Sequence, residues 1–528
     1  MSTPSRDRAD VHAPATSPAS PPPPEVARGR SDGFGASLKD KVPVVAKELL
    51  LPFIAVTSLF FLWGVANDLT NPMVSAFKKV MTELSNTEAT LVQFAFYGGY
   101  GTMAIPAALY IRRFSYKSGI LVGLALYAIG AFLFYPAATL ETYAFFLASL
   151  YILTFGLAFL ETTANPMILS MGAPETATQR LNLAQAFNPI GSLSGMLVAQ
   201  FVVLDALRSD DFSGEEHSVL SKARLEAVRA GDLGFVERVP EDSAQIVDLA
   251  IAAARADTAY VGDYYSALPA AQKALIRTND LDIISTPYIG LGVILLVVMG
   301  IIAVTKFPKV TMATQLSVRE SWERLRRHPR YLEGVGAQMF YVGAQIACWT
   351  SIFHYVDYLN TSRPPDDALT PTWYNMAAMV CFLLGRWLCT YLMRTMDGAR
   401  LMLYFAIGGV VCCAGVIFVG GMFGLYSLIG VSLCMSLMFP TIYGIALDGM
   451  GDEAKLGSAG LVMAIVGGAL LPTLQAYIID IESKHYADIL ILGYIPEGNF
   501  SFIVPLVSLA IVGVFAYRSL GDSKRSAL

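Results

Sequence analysis

The stretch Phe61-Leu-Trp-Gly-Val-Ala-Asn67-Asp68-Leu-Thr-Asn71 sets one carboxylate and two carboxamides inside a run otherwise apolar enough to span a bilayer. An ionisable side chain at that depth is costly in hydrocarbon, so it faces a wet interior and marks a path for ions or polar solutes. A second run, Tyr151–Met171, repeats the pattern with Glu161 and Asn165. Two acids in separate apolar spans point to proton-coupled transport rather than soluble catalysis.

Composition agrees. Of 528 residues, 55% are hydrophobic and 15% charged, and the mean hydropathy is +0.52. A soluble domain carries about a quarter charged residues. The apolar blocks reach the ~20 residues a helix needs to cross hydrocarbon. No alternating barrel strands occur, so helices must satisfy the backbone in lipid. A net charge of −5 and the lack of a basic stripe with interleaved aromatics argue against a nucleic-acid partner. The six cysteines lie in C-terminal spans without zinc or disulfide spacing and read as small core residues. No nucleophile–base pair, metal cluster or phosphate loop is evident, so neither an enzyme nor a cofactor or metal is expected.

The fold class expected is an all-α membrane protein with twelve transmembrane helices in two six-helix bundles. Residues 1–45, rich in Pro, Ala, Ser and Arg, read as a disordered tail, with no apolar stretch that would make a signal peptide. Residues 46–206 hold five spans, 207–282 a polar insert, 283–308 the sixth span, and 309–330 an Arg-rich loop between the halves. Residues 331–520 hold six more spans, and 521–528 end the chain. The insert carries 14 Asp/Glu against 8 Lys/Arg and no Cys. Within it, Ser218–Arg229 and Ala244–Thr258 read as short amphipathic helices, capping the outer mouth, docking a partner, or simply inserted. Short loops on one side hold 14 Lys/Arg, from Arg112 and Arg113 to Lys455, against 4 on the other. The richer side is expected to be cytoplasmic, with both termini.

Several strings then invite a family. Phe60-Phe-Leu-Trp-Gly-Val-Ala-Asn-Asp-Leu69, Gln93-Phe-Ala-Phe-Tyr-Gly-Gly-Tyr100 and Leu160-Glu-Thr-Thr-Ala-Asn-Pro166 come in order. Arg180-Leu-Asn-Leu-Ala-Gln-Ala-Phe-Asn188, Tyr341-Val-Gly-Ala-Gln-Ile-Ala-Cys-Trp349 and Met379-Val-Cys-Phe-Leu-Leu-Gly-Arg386 follow. Together they resemble the fucose–galactose–glucose:proton symporter family of the major facilitator superfamily, over all twelve spans but neither tail nor insert. The resemblance implies two pseudo-symmetric bundles rocking about a midplane cavity, with a sugar and a proton moving together. It also implies coupling and sugar-contact roles for Glu161 and Asn188, which match position for position. One departure stands out: the family's fucose symporter has its aspartate where this chain has Asn71, and an asparagine where this chain has Asp68. On a helix these positions share a face, so the carboxylate moves about one turn along the cavity. The swap relocates the proton site, the reading favoured, or else alters sugar preference or leaves Glu161 as the sole coupling acid.

Asp68 and Glu161 are therefore the expected proton-coupling acids, against the alternative of structural acids paired with a cation. About 9 residues of relative depth separates them by on the order of 13 Å along the membrane normal, too far for a shared proton. Asn67, Asn71, Gln93, Asn165, Gln185, Asn188 and Gln345 offer donors and acceptors suited to adjacent sugar hydroxyls. Tyr97, Tyr341 and Trp349 offer an apolar platform for a sugar's C–H face. The competing reading is interhelical hydrogen bonding, common in membrane bundles. Arg386 is expected to snorkel or pair with an acid. The expected function is proton-coupled import of a hexose or deoxyhexose by a monomer in a bacterial inner membrane. The alternatives are sodium-coupled or facilitated transport of another polyol, or a receptor working through the insert.

Overall fold

The computed structural model describes residues 43–70, 73–81, 86–207, 209, 270–307, 317–364, 367–479, 490–491 and 493–525. Among them twelve long helical elements run in series. The first half holds α1 (Leu50–Thr70), α2 (Asn86–Arg113), α3 (Tyr116–Phe132), α4 (Tyr143–Ser170), α5 (Ala177–Gln185, resuming at Asn188–Val198) and α6 (Ala270–Val304). The second holds α7 (Pro329–Asn360), α8 (Pro371–Leu392), α9 (Gly398–Phe418), α10 (Gly421–Met435, then Met438–Ala446), α11 (Ala454–Met463, then Gly467–Ile479) and α12 (Ile503–Arg525).

Ten of these are long and apolar enough to cross a membrane; α2 and α7 have the length but not the hydropathy. The reason lies in their sequences. Helix α2 spends positions on Gln93, Thr102 and three glycines, and α7 on Gln338, Gln345, Thr350 and Ser351.

The two halves repeat one packing scheme. Helix α1 packs on α5, α2 on α4, and α3 on both α4 and α6; correspondingly α7 packs on α11, α8 on α10, and α9 on both α10 and α12. Small residues permit the closest crossings, as membrane helices require. A Cβ on Gly191 of α5 would sit 1.9 Å from the Phe61 carbonyl oxygen of α1, and one on Gly64 would sit 2.1 Å from the Asn188 carbonyl oxygen. Outward faces present apolar side chains such as Val293, Val297, Val411 and Val514, each about half or more exposed, as lipid-facing surfaces do.

Between the halves, α2 meets α11 and α5 meets α8, again as symmetry-related pairs. Four hydrogen bonds join the halves among the described residues: Gln179 Nε2 to the Thr390 carbonyl, Asn182 Nδ2 to Thr441 Oγ1, Arg386 Nη1 to the Gln185 carbonyl, and Ser458 Oγ to the Thr162 carbonyl. All lie from mid-bundle toward the end that carries Arg112, Arg113, Lys117 and Lys455, called the basic end below.

Three boundaries differ from those expected. Residues 270–282, assigned to the insert, continue α6 as one 35-residue helix, because a helical backbone needs no apolar side chains once it leaves lipid. There Arg277 pairs with Glu141 at 3.5 Å, in the loop before α4. The connection between the halves is not all loop: Ser317 and Glu320 form a capping box that starts a helix at Val318–Arg327. The carboxylate of Glu320 is held below its usual range by the Ser317 backbone and side-chain hydrogen bonds. Val44, counted with the tail, is tied down by Arg180 Nη1 at 3.1 Å. The two amphipathic helices expected within 207–282 lie outside the described residues.

Candidate functional site

Prolines and short 3₁₀ turns interrupt three helices at one level. Helix α5 stops at Gln185 and resumes with Asn188-Pro189, α10 stops at Met435 and resumes with Pro440 in its first turn, and α11 passes through a 3₁₀ turn at Ala464–Val466. Proline lacks the N–H that continues the helical ladder, so the backbone unwinds there. A cavity of about 90 Å³ opens between the halves at these interruptions, lined by Gln185, Asn188, Phe439 and Ile465 among others.

Its walls are aromatic with a few amides. On the first half, Trp63 Nε1 donates to Tyr100 Oη at 2.7 Å, and the two rings stack at 6.4 Å between centroids. Phe60 stacks on Trp63 at 5.9 Å, and Phe96 meets Tyr100 edge-on at 5.7 Å. On the second half, Trp349 Nε1 donates to Ser432 Oγ at 3.1 Å and Tyr341 Oη to the Met435 carbonyl at 3.2 Å. Because these polar atoms are satisfied within the protein, each ring is fixed and leaves its face for an apolar contact. Asn67 and Gln345 contribute amides from opposite halves, and Gln345 makes no side-chain hydrogen bond among the described residues.

Glu161 is the carboxylate in the wall, only 5% exposed. It accepts one hydrogen bond, from Asn165 Nδ2 at 3.5 Å, the outer limit for such a contact. Asn165 is itself held by Gln185 Nε2 at 2.8 Å, so an amide pair positions the acid from behind. Among the described residues no cation pairs with Glu161. The expectation for Arg386 is corrected here: it neither snorkels nor meets an acid. It is 3% exposed, lines the same cavity, and donates to the carbonyls of Ser436 at 2.5 Å and Gln185 at 3.0 Å. Its guanidinium lies 4.6 Å from the Phe382 ring centroid. The backbone interruptions at α5 and α10 supply those carbonyls, a partner invisible in the sequence.

Eight expected residues line the cavity: Asn67, Tyr97, Glu161, Gln185, Asn188, Tyr341, Gln345 and Trp349. Asn188 also donates to the Phe60 carbonyl at 3.2 Å, fastening α5 to α1. Asn165 stands behind the wall, and Gln93 is half-buried one turn from Tyr97 outside the lining. Asp68 is 4% exposed, accepts from Asn67 Nδ2 at 3.4 Å, and lies outside the lining. It makes no hydrogen bond with Glu161. Asn71 lies outside the described residues. Phe60, Phe96, Ser192 and Phe439 complete the wall without having been singled out. Helical spacing held the signal for two of them, since Ser192 follows Asn188 by one turn and Phe96 precedes Tyr100 by one.

Comparison with known proteins agrees with this geometry. Residues 51–207 match the Major Facilitator Superfamily. The chain is 48% identical to the L-fucose-proton symporter of Haemophilus influenzae, over 90% of this chain and 98% of that one. It is 31% identical to the L-fucose-proton symporter of Escherichia coli, over 91% and 96%. A crystal structure of the Major Facilitator Superfamily transporter FucP in the outward conformation superposes with a TM-score of 0.67 at 30% identity, covering 90% of this chain and 99% of that chain. The chain belongs to the fucose–galactose–glucose:proton symporter family of the major facilitator superfamily.

Proposed function

We propose that this protein imports a hexose or deoxyhexose with a proton by alternating access, as a monomer in a bacterial inner membrane. The carrying observation is Glu161: a carboxyl without a cationic partner among the described residues, set in the wall of an amide- and aromatic-lined cavity between two repeating halves. Such a group is tolerable in a closing cavity when neutral and costly when charged, so protonation and closure favour each other. The rings of Trp63 and Trp349 suit a sugar's C–H face, and the amides of Asn67, Gln185, Asn188 and Gln345 suit its hydroxyls. Asp68, the second coupling acid of this reading, and Gln93 are assigned to the outer approach, and Tyr97 and Tyr341 to the cavity wall.

The basic end faces the cytoplasm in this reading, with both termini, because Lys and Arg are retained there. All four hydrogen bonds between the halves then belong to the cytoplasmic closure. Opening that side breaks them at a net cost of about 5 kcal/mol, counting ~1 for each neutral bond and ~2 for the one from Arg386. Contacts formed on the outer side must compensate.

The test is uptake into proteoliposomes. For one proton per sugar, one pH unit supports about tenfold accumulation. L-fucose, D-galactose and D-glucose are compared with and without an imposed gradient. Glu161→Gln is expected to abolish accumulation while sparing sugar counterflow. Gradient-driven accumulation by that variant removes Glu161 from coupling; loss dependent on sodium rather than pH replaces the coupling ion.

A further inference from the structure

Below the central cavity, toward the basic end, lies a larger recess of about 820 Å³, lined by Tyr116, Thr178, Gly444 and Lys455 among others. One helical turn of buried side chains separates the two spaces. On α10, Phe439 lines the cavity and Gly444 the recess, with Tyr443 between. On α4, Glu161 lines the cavity and Pro166 the recess, with Thr162 between. Ser458 of α11 and Gln338 of α7, from the same half as Tyr443, close the layer against Thr162 of the first half, and all four are fully buried.

The layer is polar where a seal has no need to be. Among the described residues, Thr162 Oγ1, Asn182 Oδ1 and both amide atoms of Gln338 have no hydrogen-bond partner, and the Tyr443 hydroxyl makes no hydrogen bond of good geometry although Ser458 stands beside it. Each unmade bond in a dry layer costs about 1–3 kcal/mol, whereas leucine or phenylalanine would seal the same space without that penalty. Groups of this kind become satisfied when water enters, so the layer is poised between a dry plug and a hydrated thread. Tyr443 stands between the space that Glu161 lines and the one that Tyr116 lines, with Ser458 beside its hydroxyl. Lys455 sits 5.4 Å over the Tyr116 ring at the recess.

We propose that this layer is the proton's exit, with the Tyr443 hydroxyl as the station between Glu161 and the recess. The Glu161 O–H bond breaks and its proton passes, directly or through one water, to a lone pair of Tyr443 Oη. The proton already on Tyr443 leaves at the same time to water beside Ser458, and from there to solvent in the recess. Glu161 is left as the carboxylate, Tyr443 is neutral before and after, and one proton has crossed. The inference rests on Glu161 as the coupling acid.

Tyr443→Phe removes the hydroxyl and keeps the ring. In proteoliposomes the expected result is at least a tenfold slower gradient-driven accumulation, with counterflow within twofold of the parent and thermal stability unchanged or higher. Thr162→Val, equal in size, is expected to slow accumulation threefold or more. Sugar-driven proton uptake, read with a trapped pH dye, should fall in step. Parental accumulation rates in both variants, alongside loss in Glu161→Gln, overturn the exit while leaving the coupling acid intact. Accumulation that survives Glu161→Gln overturns both.

Discussion

The α1–α5 seam gives the sharpest mechanical prediction. Gly191→Ala would put a methyl 1.9 Å from the Phe61 carbonyl oxygen, a backbone atom that no rotamer change can move. Reaching even the shortest ordinary contact, near 3.0 Å, requires α1 and α5 to part by about 1.1 Å. Overpacking of this sort costs ~1–3 kcal/mol. The displacement also stretches the 3.2 Å bond from Asn188 to the Phe60 carbonyl, worth ~1 kcal/mol more. A loss of about 2–4 kcal/mol corresponds to a drop of ~2–4 °C in the melting temperature of the purified protein. Because Asn67 and Asn188 ride on the two displaced helices, the Michaelis constant for sugar should rise roughly tenfold as well. Gly300→Ala is the control: it faces outward on α6 with nothing within 4 Å, and is expected to be neutral or slightly stabilising. If Gly191→Ala matches Gly300→Ala in both melting temperature and Michaelis constant, the seam is not close-packed and the argument fails.

Two further predictions concern the cavity. Arg386→Lys cannot hold the Ser436 and Gln185 carbonyls together, so the closure at the basic end should weaken by about tenfold. Apparent sugar affinity should then fall in right-side-out vesicles but not in inverted ones, whereas an equal fall in both would assign Arg386 to sugar binding instead. Gln345→Ala, which removes an amide with no internal partner, should raise the Michaelis constant about tenfold and leave the melting temperature alone; an unchanged constant would take Gln345 out of the sugar contacts.

What the sequence made legible followed physical scale. Ten membrane spans are written in blocks of about twenty apolar residues, which is a coarse signal. Glu161, Gln185 and Asn188 were legible because a polar side chain in such a block is conspicuous. Phe60, Phe96 and Phe439 were not, because an aromatic residue lining a cavity reads like one lining the core. Arg386 was misread for a different reason: its partners are backbone carbonyls freed by helix interruptions, and only the fold brings them there. The start of α6 was misplaced because hydropathy ends where lipid ends, while helical hydrogen bonding continues into water. The helix at Val318–Arg327 did have a signal, Ser317 and Glu320 three residues apart, hidden among arginines.

The shortfall of apolar character in α2 and α7 reaches beyond transport into biogenesis. Each falls short of the apolar content of its neighbours, and each therefore offers the insertion machinery too little grease to partition on its own. Such a segment enters the bilayer only in company, so α2 depends on the strongly apolar α1 and α3 that emerge around it, and α7 on α8 and the half already in place. Ribosomal timing thereby becomes part of the fold: the same residues that let a solute cross must first be carried across by their neighbours.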